Sequence, residues 1–113
     1  MDIQHYGDQA ITTLLGTHGL ENIDATMMAQ VLGLVGESGE VAEKFKKIIR
    51  DKNGVISDED RAELVKELGD ILWYVNAVAH LLDSSLSEVA SKNLDKVLSR
   101  KARGTTQGSG DNR

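Results

Sequence analysis

The chain has no cysteine, so neither a disulfide framework nor a thiolate metal site is open to it. No apolar run is long enough to span a membrane. The opening MDIQHYGDQAITTLL lacks the basic start and apolar block of a signal peptide, and a cytoplasmic protein is expected. Positive charge is not in excess. The formal net charge is −5, which argues against a broad grip on the backbone of polymeric nucleic acid. A single nucleotide is still compatible, because divalent cations can sit between acids and a polyphosphate. Proline is missing, and no G-x-x-x-x-G-K-[ST] phosphate loop occurs. His5, His18 and His80 have no metal-like spacing, and His80 reads as an interface or helix-end residue.

What is present fits one globular domain. The 113 residues are 40% apolar and 27% charged, which allows a core, but a modest one. We place the domain at residues 1–103. The remainder, GTTQGSGDNR at 104–113, is small, polar and aperiodic, and reads as a flexible tail without function. Apolar residues recur at helical spacing in four segments. The first runs roughly from Ile3 to Leu15. The second is expected at about 25–51, capped by Asp24 and closed by Asn53 or Gly54 in a left-handed turn. Ser57 caps the third, with Asp60 in a capping-box position, and Ser85-x-x-Glu88 opens the fourth. No period-two strand pattern occurs. The expected fold is all-α, an antiparallel four-helix bundle-like subunit. The second and third helices have apolar faces wider than one partner helix needs, so a homodimer or higher oligomer should complete the core.

Two stretches repeat a pattern: LVGESGEV at 34–41 and LVKELGDI at 64–71. Each carries a pair of acids three residues apart, Glu37 and Glu40 in the first and Glu67 and Asp70 in the second. Positions at i and i+3 share a helix face, and like charges there repel. Each stretch also contains helix-weakening glycine, with Gly33, Gly36, Gly39 and Gly69 each costing roughly 0.5–1 kcal/mol relative to alanine. Close helix approach or room for a ligand would account for them. If the two turns face each other, four carboxylates converge as an all-oxygen site suited to Mg²⁺, with Mn²⁺ as a substitute. No Glu-x-x-His accompanies them, which disfavours di-iron chemistry. Metal-assisted displacement at phosphorus is the implied chemistry. The plainer reading is a solvated acidic face with local pairs such as Glu40–Lys44, Glu43–Lys47 and Glu63–Lys66.

These residues resemble the MazG-like all-α nucleoside triphosphate pyrophosphohydrolases. The family pattern, Glu-x-x-Glu followed by Glu-x-x-Asp on the next helix, is matched by Glu37-Ser-Gly-Glu40 and Glu67-Leu-Gly-Asp70. GLVGESGEVAEKFKKIIR, ELVKELGDILWYV and NLDKVLSRKARG also look typical, so the resemblance covers about residues 28–104. One departure is Gly36, where many members carry a further acid. The resemblance implies Mg²⁺ on Glu37, Glu40, Glu67 and Asp70, and hydrolysis of a nucleoside triphosphate, often a deoxynucleotide, to monophosphate and pyrophosphate. It also implies a dimer or a dimer of dimers and a role in nucleotide-pool control or house-cleaning.

Several residues are candidates for holding the substrate. Lys44 and Lys47 lie one and two turns beyond Glu40 and suit the leaving phosphates, or else pair with surface acids. Asn93, Lys96 and Arg100 line up on the fourth helix, where the resemblance implies a nucleotide and phosphate contact; a solvated stripe is the alternative. Tyr74 shares the acidic stripe and could stack on a base, whereas Trp73 reads slightly more as core or interface. The rival function is a non-catalytic helical dimerisation module or a regulatory nucleotide-binding protein. It accounts for the apolar faces but not for two glycine-bearing acidic turns in register.

Overall fold

A computed structural model describes residues 1–16 and 22–111. Among them the chain is all-helical, with no strand: α1 (Ile3–Ala10), a 3₁₀ turn (Ile11–Thr13), α2 (Ala25–Lys52), α3 (Asp58–Leu81) and α4 (Leu86–Ala102). His18 lies outside the described residues. The helix starts follow their caps. Asp24 accepts the Met27 N–H at 3.0 Å, and Ser57 and Asp60 form a full reciprocal capping box. At α4 only half the expected box is seen: Ser85 accepts the Glu88 N–H, while the Glu88 carboxylate takes the Ser84 hydroxyl at 2.9 Å. Asn53 closes α2 at φ 52°, and the Gly54 N–H reaches back to the Ile48 carbonyl.

The first helix is shorter than its apolar periodicity predicts. Thr12 and Thr13 donate their hydroxyls to the carbonyls of Gln9 and Ala10, each at 2.7 Å. Such local side-chain bonds compete with helix propagation. The chain tightens into the 3₁₀ turn and becomes extended at Leu14.

α2 and α3 form the principal contact, with the end of one helix meeting the start of the other. Lys52 bonds to Asp60 at 2.9 Å, Lys44 meets Glu67 at 3.7 Å, and Gly33 lies under the ring of Tyr74. Asp60 thus ties the two helices together at the turn. The Ser57 N–H first, and then Lys52, hold its carboxyl down to about 2. α1 and α4 pack at the other end of α3, and neither brings its backbone close to that of α2. There Asn76, buried on α3, donates to the Gly7 carbonyl at 3.0 Å, and Trp73 donates its indole N–H to Thr13 Oγ1 at 2.8 Å. The buried apolar side chains are few among the described residues: Met27, Leu64, Ala77, Ala79, Leu81 and Leu86.

A single chain does not close this arrangement into a compact body. Its radius of gyration is 16.9 Å, against about 13 Å for a compact domain of this length. It exposes 8043 Å², where about 6100 Å² suits a compact monomer of its mass. Part of that surplus lies on α2, whose apolar residues spread over two adjoining stripes about 100° apart. One, with Val31, Leu34, Val41 and Ile48, turns toward α3. The other, with Met28, Leu32, Val35, Ala42 and Ile49, is exposed, Leu32 by 64% and Ile49 by 69%.

The glycines divide in the same way. A Cβ at Gly33 would overlap the Tyr74 ring, whereas at Gly36, Gly39 and Gly69 it would meet nothing within 4 Å. Gly33→Ala should therefore destabilise the fold by about 1–3 kcal/mol through overpacking, despite better helix propensity. Gly36→Ala should stabilise it by roughly 0.5–1 kcal/mol. Urea melts of the two variants check this, and equal shifts of the same sign would contradict the close approach at Gly33.

Candidate metal centre and nucleotide cleft

The Gly33–Tyr74 contact sets what faces what one turn further along. Glu37 follows Gly33 by four residues, and Asp70 precedes Tyr74 by four, so the two acids come opposite each other. Glu67 joins them from the preceding turn of α3. One carboxylate oxygen from each of Glu37, Glu67 and Asp70 lies within 4.8 Å of the other two. Glu40 is not in this group. It sits one turn beyond Glu37 and rotated toward solvent, and its side chain is exposed. Its charge nonetheless acts on Glu37.

The electrostatics of the cluster are unfavourable by themselves. The Glu37 carboxyl is pushed above the ordinary glutamate range, first by loss of solvent and then by the charges of Glu40, Asp70 and Glu67. A hydrogen bond with Glu67, which favours a protonated Glu37, adds to the shift. One oxygen each of Glu37 and Glu67, both Oε2, is fully buried with no partner. Buried, unpaired carboxylate oxygens facing each other are a donor set that fits a hard divalent cation. Lys44 offsets part of the charge at Glu67, and the expected Glu40–Lys44 pair is replaced by this contact across the helices.

Beside the acids is a cleft of about 320 Å³ lined by Glu37, Asp70, Trp73 and Tyr74. The two rings meet edge to face, with centroids 5.0 Å apart and planes at 85°. Tyr74 is thereby both the residue packed on Gly33 and part of the cleft wall. Trp73 also lines the cleft, and its N–H is held by Thr13; the slight preference for a core or interface role did not anticipate this. Tyr6 was missed in the sequence. Its hydroxyl pKa is raised by burial first and by Asp70 second, which brings α1 to the edge of the cluster. Nothing in the local sequence signals that approach, because it depends on Gly7 docking against Asn76.

The basic residues fall into two groups. Lys44 and Lys47, with Lys52, line a second cleft of about 220 Å³ that also contains Asp51, Asp60 and Glu63. Lys47 pairs with Glu43 at 3.9 Å, as the plainer reading of the sequence expects, and so does Lys66 with Glu63 at 3.7 Å. On α4, Asn93 is exposed. Lys96 and Arg100 both engage Asp111 of the tail, at 3.2 and 3.4 Å. Lys96 first and Arg100 second hold the Asp111 carboxyl below the usual carboxylate range. The α4 backbone does not approach that of α2, so its basic stripe and Glu37 stand on helices that are not closely packed together within one chain. His5 is exposed on α1, and His80 lies half-buried in the last turn of α3.

The raised Glu37 pKa has a definite sign in stability. The folded state binds the proton more tightly than the unfolded state does, so metal-free stability should rise as pH falls from neutrality through the folded pKa of Glu37. The gain should level off below the ordinary glutamate value. Glu37→Gln should raise the metal-free Tm at pH 7 and flatten this part of the profile. It should also reduce the Tm increase given by millimolar Mg²⁺. A lower metal-free Tm in the variant, measured by thermal melts in EDTA, would show that the cluster does not repel itself.

Comparison with known proteins bears directly on these two acidic turns. The family model described as the MazG nucleotide pyrophosphohydrolase domain matches residues 25–104, from the start of α2 to just past the end of α4. The chain is also 60% identical over 82 residues to the Gene 37 protein of Mycobacterium phage L5, covering 73% of this chain and 72% of that protein. No solved structure matches. With both acidic turns, the aromatic cleft wall and α4 inside the matched span, the chain belongs to the MazG nucleotide pyrophosphohydrolase family.

Proposed function

We propose that the protein hydrolyses a nucleoside triphosphate, a deoxynucleotide or a non-standard one, to the monophosphate and pyrophosphate. The observation that carries this reading is the meeting of Glu37, Glu67 and Asp70 beside an aromatic-walled cleft, in a chain of this family. Glu37, Glu67 and Asp70 would hold Mg²⁺, or Mn²⁺ in its place, with Glu40 at the exposed edge. Mg²⁺ there would supply charge neutralisation and Lewis-acid polarisation of the phosphoryl oxygens. Water adds to the α-phosphorus, the bond from the α-phosphorus to the bridging oxygen breaks, and pyrophosphate leaves. Trp73 and Tyr74 would receive the base, a contact tolerant of base identity. Lys44 and Lys47 would meet the departing phosphates as point charges. Asn93, Lys96 and Arg100 would hold sugar and phosphate from α4.

In the same reading the subunit is an antiparallel α2–α3 hairpin completed by a second copy, as a homodimer or a dimer of dimers. The exposed stripe Met28, Leu32, Val35, Ala42 and Ile49 would be its interface. The surplus surface, about 1900 Å² beyond a compact monomer, is of the size that obligate dimers cover. A partner would also give α2 the neighbour that α4 of its own chain does not supply. Such an enzyme suits nucleotide-pool control or removal of unwanted nucleotides in the cytoplasm.

The first test resolves the products formed from a panel of NTPs and dNTPs with Mg²⁺. Monophosphate with pyrophosphate is expected, and diphosphate with orthophosphate would place the cleavage elsewhere. Asp70→Asn should lower kcat/KM by more than about a hundredfold, beyond the loss typical of outer-shell residues, with helicity retained. The second test is the solution mass by light scattering. Two or four times 12.3 kDa is expected, and Leu32→Glu should shift it toward one chain. A wild-type monomer at micromolar concentration would refute the shared core.

A further inference from the structure

The tail at 104–111 does not leave the domain. Gly104, at φ 70°, turns the chain sharply after α4, and the Thr105 N–H bonds to the Arg100 carbonyl at 2.8 Å. The following residues run back along α4 until Asp111 meets Lys96 and Arg100, one turn apart. Arg100 Nη2 donates to the Asp111 carbonyl at 2.7 Å, to the Gly110 carbonyl at 3.3 Å and to the Asp111 carboxylate at 3.4 Å. Lys96 Nζ donates to the same carboxylate oxygen at 3.2 Å.

Two features make this more than a surface ion pair. Arg100 is only 7% exposed, which is rare for an arginine unless it is paired. Its Nε, moreover, is buried with no partner. A guanidinium presents its Nε and Nη donors as a fork that suits two oxygens of one anion. Asp111 fills only the Nη2 side, through long carboxylate contacts. The tail therefore satisfies this cation site in part and leaves one donor stranded. A phosphate group has enough oxygens to take Nε, Nη2 and Lys96 Nζ together.

We propose that Asp111 plugs the Lys96–Arg100 cation site in the free chain, holding the place that the phosphate of a ligand would take. The tail is thus a competitive strap, displaced when phosphate binds. The identification of that phosphate with the substrate's rests on the hydrolase reading above; the plug itself does not. Displacement exchanges the Asp111 carboxylate and the two tail carbonyls on Arg100 Nη2 for phosphate oxygens, with no change in the helices. The strap lowers apparent affinity by the fraction of time it is seated.

The test uses the full chain and inorganic pyrophosphate in EDTA at low salt, which removes any metal-mediated binding at the acidic cluster. The absence of cysteine allows a unique spin label at Ser109→Cys. The label should be restrained in the otherwise unaltered chain and released by pyrophosphate. With Asp111→Asn, whose side chain is largely solvent-exposed, the label should be mobile from the start. Pyrophosphate should then bind about two- to fivefold more tightly by calorimetry, the range of a partly exposed ion pair. Lys96→Gln should weaken pyrophosphate binding and reduce the difference made by Asp111→Asn. Equal label mobility and equal affinity with and without the Asp111 carboxylate would overturn the strap. A seated, displaceable strap with no nucleotide turnover would support it while removing the hydrolase reading. Turnover to monophosphate and pyrophosphate with no response at the label would do the reverse.

Discussion

The contact of Tyr74 with Gly33 is the constraint from which the site follows. An aromatic ring can lie this close to a helix backbone only where no Cβ stands in the way. It sets the spacing of α2 and α3 at one point, and helix geometry carries that spacing along one turn to Glu37 and Asp70. The same ring forms part of the cleft wall with Trp73. One packing decision thus fixes the distance between the acids and the surface beside them. The glycine's cost in helix propensity, about 1 kcal/mol, is offset by a contact that no other residue at position 33 permits.

The hairpin holds this geometry against its own electrostatics. Three carboxylates in mutual reach oppose the approach of α2 and α3, and the raised pKa of Glu37 registers that opposition. The opposing forces lie on either side of the cluster. Lys52 with Asp60 clamps the turn end, Lys44 lies against Glu67, and the Gly33–Tyr74 packing closes the other side. α1 adds a further brace through Asn76 with Gly7 and Trp73 with Thr13, and it brings Tyr6 to the edge of Asp70. Packing on both sides thus holds the three acids together against their own repulsion.

How much of this is legible in the sequence depends on the range of the interactions. Helices α2 and α3 and the start of α4 follow from caps at Asp24, Ser57 and Ser85 that act within one turn, and these were readable. The meeting of Glu37 with Glu67 and Asp70 was readable too, because two matching turns on helices joined by a short turn have few ways to pack. Rotation about the helix axis was less so. Glu40 shares a face with Glu37 in a coarse three-residue rule, yet the 60° between them is enough to leave it in solvent. The shortening of α1 turned on two threonine hydroxyls, which an apolar-periodicity argument does not weigh. Tyr6, the tethering of Trp73 by Thr13 and the docking of Asp111 all join residues distant in sequence, and no local pattern announces them.

The apolar surface of α2 is broader than α3 alone covers. A wide stripe suggests one face too large for one partner. The structure shows one broad apolar surface, half of it toward α3 and the adjoining half, with Leu32, Val35, Phe45 and Ile49, in solvent. So wide an apolar surface is the pattern of a helix with more than one packing partner. Yet among the described residues α3 is the only helix whose backbone runs close to α2, and α4 packs with α1 and α3. The acids project from the half of α2 that faces α3, and the unpartnered stripe is the other half. Whatever covers that stripe therefore stiffens the helix that carries Glu37 without entering the cluster. The open glycine at position 39, within the stripe, leaves the backbone accessible to a close neighbour there.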